Sequence, residues 1–445
     1  CSSLLGALTE NGPIELNADG TLSPNAYAWN SQASILFLES PAGVGFSFNA
    51  AQNYSTNDDA TAALNYGALQ SFYAKFPHLV NNDFYIAGES YGGVYIPTLS
   101  RNVVAGGSPA NFRGFAIGNG LLEQTMLANS YLLFTHYHGL YSPSMWNSLV
   151  SNCCAGVSNT EKCNFVGNTA PACVQSVAAI QGQLNSMPLN PYNIYSSCVQ
   201  TSSGALTPAK VHQQMLKKYL FKYVDEVEGD AEGDDDNETP VGDNPTCVDL
   251  DYVGEYLNRP DVHQQMLKKY LFKYVDEVAE GDAEGDDDND DETPVGDNPT
   301  CVDLDYVGEY LNRPDVRSAL HITTQSLPWA ACSPSVNANY VNQYTSLTEM
   351  VKKLLQGGLK GLIYNGDVDT VCNYLGDLWF SEGLGFSTVQ DYQPWMYQGQ
   401  IGGFYKIYEN FGFATVRGSG HTVPMDKPGQ AKEMFYRFLN MTKSQ

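Results

Sequence analysis

The chain has 445 residues, 43% of them hydrophobic, with ten cysteines and a formal charge of -26. That is enough chain to bury a large core. The absence of any run of about 18 uninterrupted apolar residues excludes a predicted membrane-spanning helix. The strong negative charge excludes nucleic acid as a partner, since it would repel phosphate.

The charge is local. Residues 225–238 carry nine acidic side chains and 276–292 carry eleven, with no lysine or arginine in either run; removing these 20 leaves -6. Such Gly/Asp/Glu stretches cannot bury a core and read as solvated linkers. They sit in a duplication. Val211–Asp225 recurs as Val262–Asp276, and Thr246–Val262 recurs as Thr300–Val316. Two copies of a unit of about fifty residues are too few for a solenoid. The downstream copy is expected to be the one built into the fold.

In chain order, Ala33–Leu38 reads as a strand. Asn57 caps a helix running to about Phe76, with Ala60, Ala63, Leu64, Ala68, Leu69 and Phe72 at helical spacing. Asp83–Ala87 is a short apolar strand, and a helix can start at Gly93. Between them stands Gly88-Glu-Ser90-Tyr-Gly92. A bare Gly-x-Ser-x-Gly is more often an ordinary turn. Placed between strand and helix it is the nucleophile elbow of an α/β-hydrolase, whose sharp turn exposes the serine hydroxyl. Phe112–Gly118 reads as the next strand. From about Met126 to Ile322 the pattern turns helical, irregular and cysteine-bearing. Gly361–Asn365 and Phe413–Val416 return to strands, and Pro428–Leu439 is a helix burying Ala431, Met434, Phe435 and Phe438. The alternation predicts a mostly parallel sheet covered on both faces. The domain reading is a hydrolase core over 1–125 and 323–445, interrupted by a helical, disulfide-bearing cap over 126–322 that contains the duplicated segment 211–315.

The elbow directs the search for its partners, because this fold orders them serine, acid, histidine. Only His421 lies late in a glycine-rich loop directly after a strand. The strand Gly361–Asn365 leads into Gly366-Asp367-Val-Asp369, where two aspartates compete for the role of acid. Either could instead be a turn aspartate bonding its own backbone. Cys153, Cys154, Cys163 and Cys173 lack the paired Cys-x-x-Cys spacing of a zinc knuckle and read as disulfides of an oxidising compartment. The sequons at Asn53 and Asn440 are candidate glycosylation sites; that at Asn237 is weakened by its following proline.

Three motifs together resemble the serine carboxypeptidase family: Gly88-Glu-Ser-Tyr-Gly-Gly93, Gly366-Asp-Val-Asp369 with Cys372-Asn373, and Gly418-Ser-Gly-His421-Thr-Val-Pro424. Leu38–Ser47 and Gly118-Asn-Gly120 match as well, and Cys153-Cys154 and Leu327-Pro-Trp329 are most similar to the animal lysosomal branch. The resemblance covers nearly the whole chain except roughly 211–300, and it implies a function. Ser90 would attack a peptide carbonyl, His421 would act as base, and Asp369, rather than Asp367, would orient the imidazole. The Tyr91 amide would form half of the oxyanion hole. The resemblance places the other donor in a Gly-Gly-Pro-Gly segment ahead of Cys1, so the chain as it stands is expected to lack one donor, which typically costs about 100- to 1000-fold in rate. Glu10 and Glu89 would share a proton and bind the substrate's terminal carboxylate, favouring acid. Met425 would line the leaving-group pocket. Implied disulfides are Cys1–Cys332, Cys153–Cys173, Cys154–Cys163 and Cys198 with Cys301 or its twin Cys247, leaving Cys372 a free thiol. No cofactor or metal is implied. The implied substrates are peptides with a free C-terminus, and the implied location is lysosomal or secreted. In the animal lysosomal branch this cap loses a peptide during maturation, a part the acidic runs could play. Two alternatives stand beside peptide hydrolysis. One is a non-catalytic partner of lysosomal glycosidases, for which a homodimer or larger complex would matter. The other is another hydrolase or acyltransferase on the same fold.

Overall fold

A computed structural model describes residues 2–196 and 305–443. Cys1, Cys198, Cys247, Cys301, Asn237, the first repeat copy, the acidic runs and most of the second copy lie outside the described residues. By contacts the chain divides into Cys1–Gly229 with Asn298–Gln445, and Asp230–Asp297; every described residue belongs to the first unit.

Helix α1 (Ser3–Thr9) opens the described chain, capped by the Ser2 hydroxyl, which accepts from the Leu4 amide. Strands β1 (Ile14–Leu16) and β2 (Leu22–Pro24) form a small hairpin, and β3 (Thr56–Asn57) pairs with a distant β6 (Tyr340–Val341). Helix α2 (Asp58–Lys75) starts at the expected cap: the Asn57 carbonyl oxygen of the side chain accepts from the Ala60 amide.

The central sheet has six strands: β4 (Phe84–Ser90), β5 (Phe112–Gly120), β7 (Lys360–Gly366), β8 (Thr388–Tyr397), β9 (Gln400–Tyr408) and β10 (Phe411–Val416). Their order is β4-β5-β7-β10-β9-β8. The first four run parallel, and the last two turn back as an antiparallel hairpin. Its Gln398-Gly399 turn has both residues at positive φ (47° and 77°), matching the right-handed twist of the strands it joins. All of β10 is buried, as expected of a strand covered on both faces.

Helix α3 (Gly92–Gly106) and the helix Thr348–Gln356 cover one face, packing Val94, Leu99, Val351 and Leu355 against Phe115, Ile117 and Phe413. The C-terminal helix, Pro428–Lys443, covers the other. Its residues Ala431, Met434, Phe435 and Phe438 are all buried, and Phe435 stacks on Trp29 with ring centroids 4.0 Å apart. Each such aromatic burial contributes about 1.5–3 kcal/mol.

Between β5 and β7 the described chain carries α4 (Gln124–Tyr137), α5 (Pro143–Cys153), α6 (Pro171–Ser186) and further short helices, among them Asp305–Leu311 and Pro314–Ala319. Cys153 is bonded to Cys173 and Cys154 to Cys163, which ties the end of α5 to α6. The apolar cluster of α4, α5 and α6 continues into Val368, Val371 and Cys372, so these three helices pack onto the loop that carries Asp369, while Asp305–Leu311 and Pro314–Ala319 pack with Leu16, Phe46 and Trp329.

Two expectations need correction. Ala33–Leu38 forms no ladder. Ile35 packs against the cluster under the C-terminal helix, but Leu36 is exposed; apolar content gave the segment a place to pack without a strand to pair with. In α2 the buried face is Asp58, Thr61, Ala62, Asn65 and Leu69, while Ala60, Ala63 and Leu64 face solvent. The reason is Asp58. Its carboxylate is fully buried and accepts from the Tyr91 hydroxyl (2.8 Å), the Tyr340 hydroxyl (2.8 Å) and the Gln343 amide (2.6 Å). A buried carboxyl group that must keep its hydrogen-bond partners outweighs a few alanines in setting which side of the helix faces inward.

Candidate active site

Ser90 ends β4 and stands immediately before α3, at φ 59°. A non-glycine residue there is uncommon and strained by about 1–3 kcal/mol. The surroundings hold it. The Ser90 carbonyl accepts from the Leu121 amide at 2.9 Å. Gly93 lets α3 press onto the next strand, since a Cβ at that position would lie 2.5 Å from the Leu121 nitrogen. Tyr91, whose amide follows the serine, is fixed through its ring: its hydroxyl donates to Asp58 and accepts from the Asn342 side chain.

His421 and Asp369 meet at the ends of adjacent strands β10 and β7. His421 Nδ1 lies 2.7 Å from Asp369 Oδ2, and both residues are buried. Asp369 also accepts from the amides of Val371 (2.8 Å) and Cys372 (3.1 Å). The competing Asp367 does something else: its carboxylate accepts from the Gly418 amide at 2.6 Å and so anchors the loop that presents His421. Burial raises its pKa, a tendency that the Gly418 bond opposes. Among the described residues Ser90 Oγ makes no hydrogen bond to His421; such bonds are often long before substrate binds and tighten in the complex.

The two glutamates are hydrogen-bonded to each other. Glu10 comes from the C-terminal cap of α1 and Glu89 from the elbow. Each keeps some contact with solvent, yet protein crowds both. Desolvation pushes the Glu10 carboxyl up to about 7, against the opposing pull of His421. Glu89 is raised well above its ordinary value, by desolvation first and then by the charges of Glu10, Asp369 and Asp426. The pair therefore holds at least one proton in acid.

Several residues around the site had no role assigned from sequence. Asn119 donates from its side chain to Asp369 Oδ2 at 2.9 Å. Asp426 accepts from the Gly420 amide (2.6 Å) and the Asn193 side chain (3.0 Å), bracing the histidine loop against the segment that carries Asn193. The Tyr192 carbonyl accepts from the His421 amide, and its ring meets the imidazole edge-on, with centroids 4.9 Å apart. Asn119 was visible as part of Gly118-Asn-Gly120 after a strand; Asp426 and Tyr192 carried no local signal.

Met425 sits four residues after His421, 41% exposed. Cys372 is buried and free, its thiol raised well above the usual value by burial and by Asp369. Cys332 is disulfide-bonded, and the partner expected for it, Cys1, lies outside the described residues. Asn53 and Asn440 are both exposed. Cavities of about 330 and 870 Å³ lie elsewhere on the surface, the smaller beside Leu8 and Tyr310 and the larger beside Arg101 and Lys353, and neither is lined by Ser90, Asp369 or His421. No helix among the described residues is long and apolar enough to cross a membrane.

The profile of the Peptidase S10 family, serine carboxypeptidases, matches residues 1–288 and again 270–441, the two matches overlapping inside the duplicated region. The chain belongs to the serine carboxypeptidase family. It is similar to the lysosomal protective protein of Mus musculus, 36% identical over 99% of this chain and 82% of that protein. It is also similar to the serine carboxypeptidase ctsa-4.1 of Caenorhabditis elegans, at 32% over 99% of this chain and 81% of that protein. Among solved structures, Kex1(Δ)p, a prohormone-processing carboxypeptidase from Saccharomyces cerevisiae, superposes with a TM-score of 0.64 at 19% identity, covering 99% of this chain and 81% of that chain. That likeness carries the fold, an α/β-hydrolase. A serine carboxypeptidase needs a nucleophile, a base and a site for a terminal carboxylate, and the elbow, the His421–Asp369 pair and the two glutamates supply a candidate for each.

Proposed function

We propose that this chain is a serine carboxypeptidase that releases C-terminal amino acids from peptides, with its best turnover in acid. Ser90 attacks the scissile carbonyl. His421 takes the serine proton and returns one to the departing amino acid, while Asp369 holds the imidazole in the right tautomer and stabilises its charged form. The Tyr91 amide stabilises the oxyanion. Water then resolves the acyl-enzyme by the same route in reverse.

The observation that carries this reading is the junction of His421 Nδ1 with a buried Asp369 at 2.7 Å, next to a serine held at φ 59°. A protein used only as a scaffold has no need of a strained serine. The protonated glutamate pair supports exopeptidase specificity, because a neutral carboxyl can donate to a substrate carboxylate where an ionised one would repel it. Met425, exposed just past His421, borders the leaving-group side. We retain the division into a core over 1–125 and 323–445 and a cap over 126–322, with glycans on Asn53 and Asn440. Kinship with a lysosomal protein supports a lysosomal or secreted location.

The test is covalent labelling. An organophosphate should modify Ser90 alone in the full-length protein, and Ser90→Ala and His421→Ala should each abolish peptide hydrolysis. Labelling of a different serine, or an active Ser90→Ala variant, would remove the assignment.

A further inference from the structure

Asn119 is fully buried, yet neither end of its side chain is idle. Nδ2 donates to Asp369 Oδ2 at 2.9 Å, the same oxygen that faces His421. Oδ1 accepts from the Gly366 amide at 2.9 Å, at the start of the turn leading to Asp369. The backbone at Asn119 is left-handed, at φ 38°, a conformation that asparagine tolerates better than most residues. Its neighbours join it to the nucleophile. Gly120 is in register with Ser90, and the Leu121 amide bonds the Ser90 carbonyl. The Gly120 amide donates in turn to the buried Asp377 at 3.1 Å, which also accepts from Asn365 at 2.8 Å.

We propose that Asn119 is a positioning residue for hydrolysis: its amide fixes the Asp369 carboxylate against His421 and locks the acid-bearing turn to the strand beside the serine. The inference rests on the Ser90–His421–Asp369 reading and deepens it. Remove the Nδ2 donor and Asp369 Oδ2 keeps only His421 and the Cys372 amide. The Val371 amide still holds Oδ1, but Oδ2 loses its side-chain donor and can shift, and the imidazole with it. Misplacement of a catalytic group by about 1 Å can cost about 100-fold in rate.

Asparagine to aspartate tests this without changing shape. Asp tolerates the same backbone and fills the same volume, but replaces the donor by an oxygen. Ionised, it repels Asp369; protonated, it can donate as the amide did. The titratable groups around it are Asp369, His421, Cys372 and Asp377, with Glu89 beyond. In the full-length protein, with an uncharged ester as substrate, the ratio of Asn119→Asp to unchanged kcat should be about 10- to 100-fold below one above neutrality. It should climb back as pH falls, with KM little altered. Asn119→Gly relieves the backbone and deletes the amide, so its kcat should fall at every pH. A pH-independent ratio for Asn119→Asp, or an undiminished kcat for Asn119→Gly, overturns the proposal. Should Asn119→Asp fail to fold, Asn119→Gly decides alone. A second readout is independent of turnover: the low-field proton resonance of His421 Nδ1–H should be displaced above neutrality in Asn119→Asp. If the unchanged protein cleaves no ester, the functional reading fails, and that resonance still decides: displaced, it supports Asn119 as the positioning group; unmoved, it refutes it.

Discussion

Replacing Glu10 and Glu89 together by glutamine should erase the acid preference of peptide hydrolysis and leave ester hydrolysis nearly untouched. Desolvation pushes the Glu10 carboxyl up to about 7, and that of Glu89 is raised too, by desolvation and then by the charge of Glu10. A raised carboxyl keeps its proton below that value and loses it above. Carboxylate binding is thus present in acid and lost as pH rises through about 7, with the protonated fraction falling about tenfold per unit beyond it. One hydrogen bond to a charged group is worth about 1.5–3 kcal/mol, which is about 10- to 150-fold in kcat/KM. Glutamine offers an N–H donor at every pH and has no proton to lose. The assay compares initial rates on a blocked dipeptide and on the matching ester across the pH range. The unchanged protein should lose peptide kcat/KM about tenfold per unit above neutrality, whereas the double variant should hold a flat line there at a somewhat lower plateau. An identical alkaline limb in both proteins would refute the role of the pair.

Two further outcomes follow from the packing around the site. Gly93→Ala would drive a Cβ into the Leu121 backbone, 2.5–2.7 Å away; a melting curve should show a loss of about 1–3 kcal/mol, with kcat reduced because Ser90 moves with the elbow. Asp377 is buried, and desolvation pushes its pKa up to about 8, so the folded state holds a proton that the unfolded chain releases near pH 4. Stability should therefore fall as pH rises from about 4 to about 8, and Asp377→Asn should flatten that decline in thermal melts; an equally steep decline in the variant would contradict the assignment.

The three loops of the candidate site were legible in the sequence because the chemistry proposed for them needs local backbone signals. Gly-x-Ser-x-Gly must sit at a strand–helix junction, and both the Asp369 and His421 loops must follow strands, so strand periodicity and glycine spacing pointed to all three. The choice between Asp367 and Asp369 was different. Both follow β7 within three residues, and only the bonds they make, to Gly418 and to His421, separate their work. Asn119, Asp426 and Tyr192 act across long stretches of chain, where no spacing rule reaches. The face of α2 was misread for the same reason: its burial is decided by partners of Asp58 nearly 300 residues away. The β8–β9 hairpin escaped notice because both strands carry polar and charged residues on exposed positions and the turn is Gln-Gly rather than the commoner Asn-Gly.

The central claim is exopeptidase action by the Ser90 centre. The most direct measurement is digestion of a defined peptide by the full-length protein in mild acid, followed by mass spectrometry over time. The expected ladder loses single residues from the C-terminus and vanishes in Ser90→Ala. Internal fragments, loss from the N-terminus, or a ladder that persists in Ser90→Ala would contradict it.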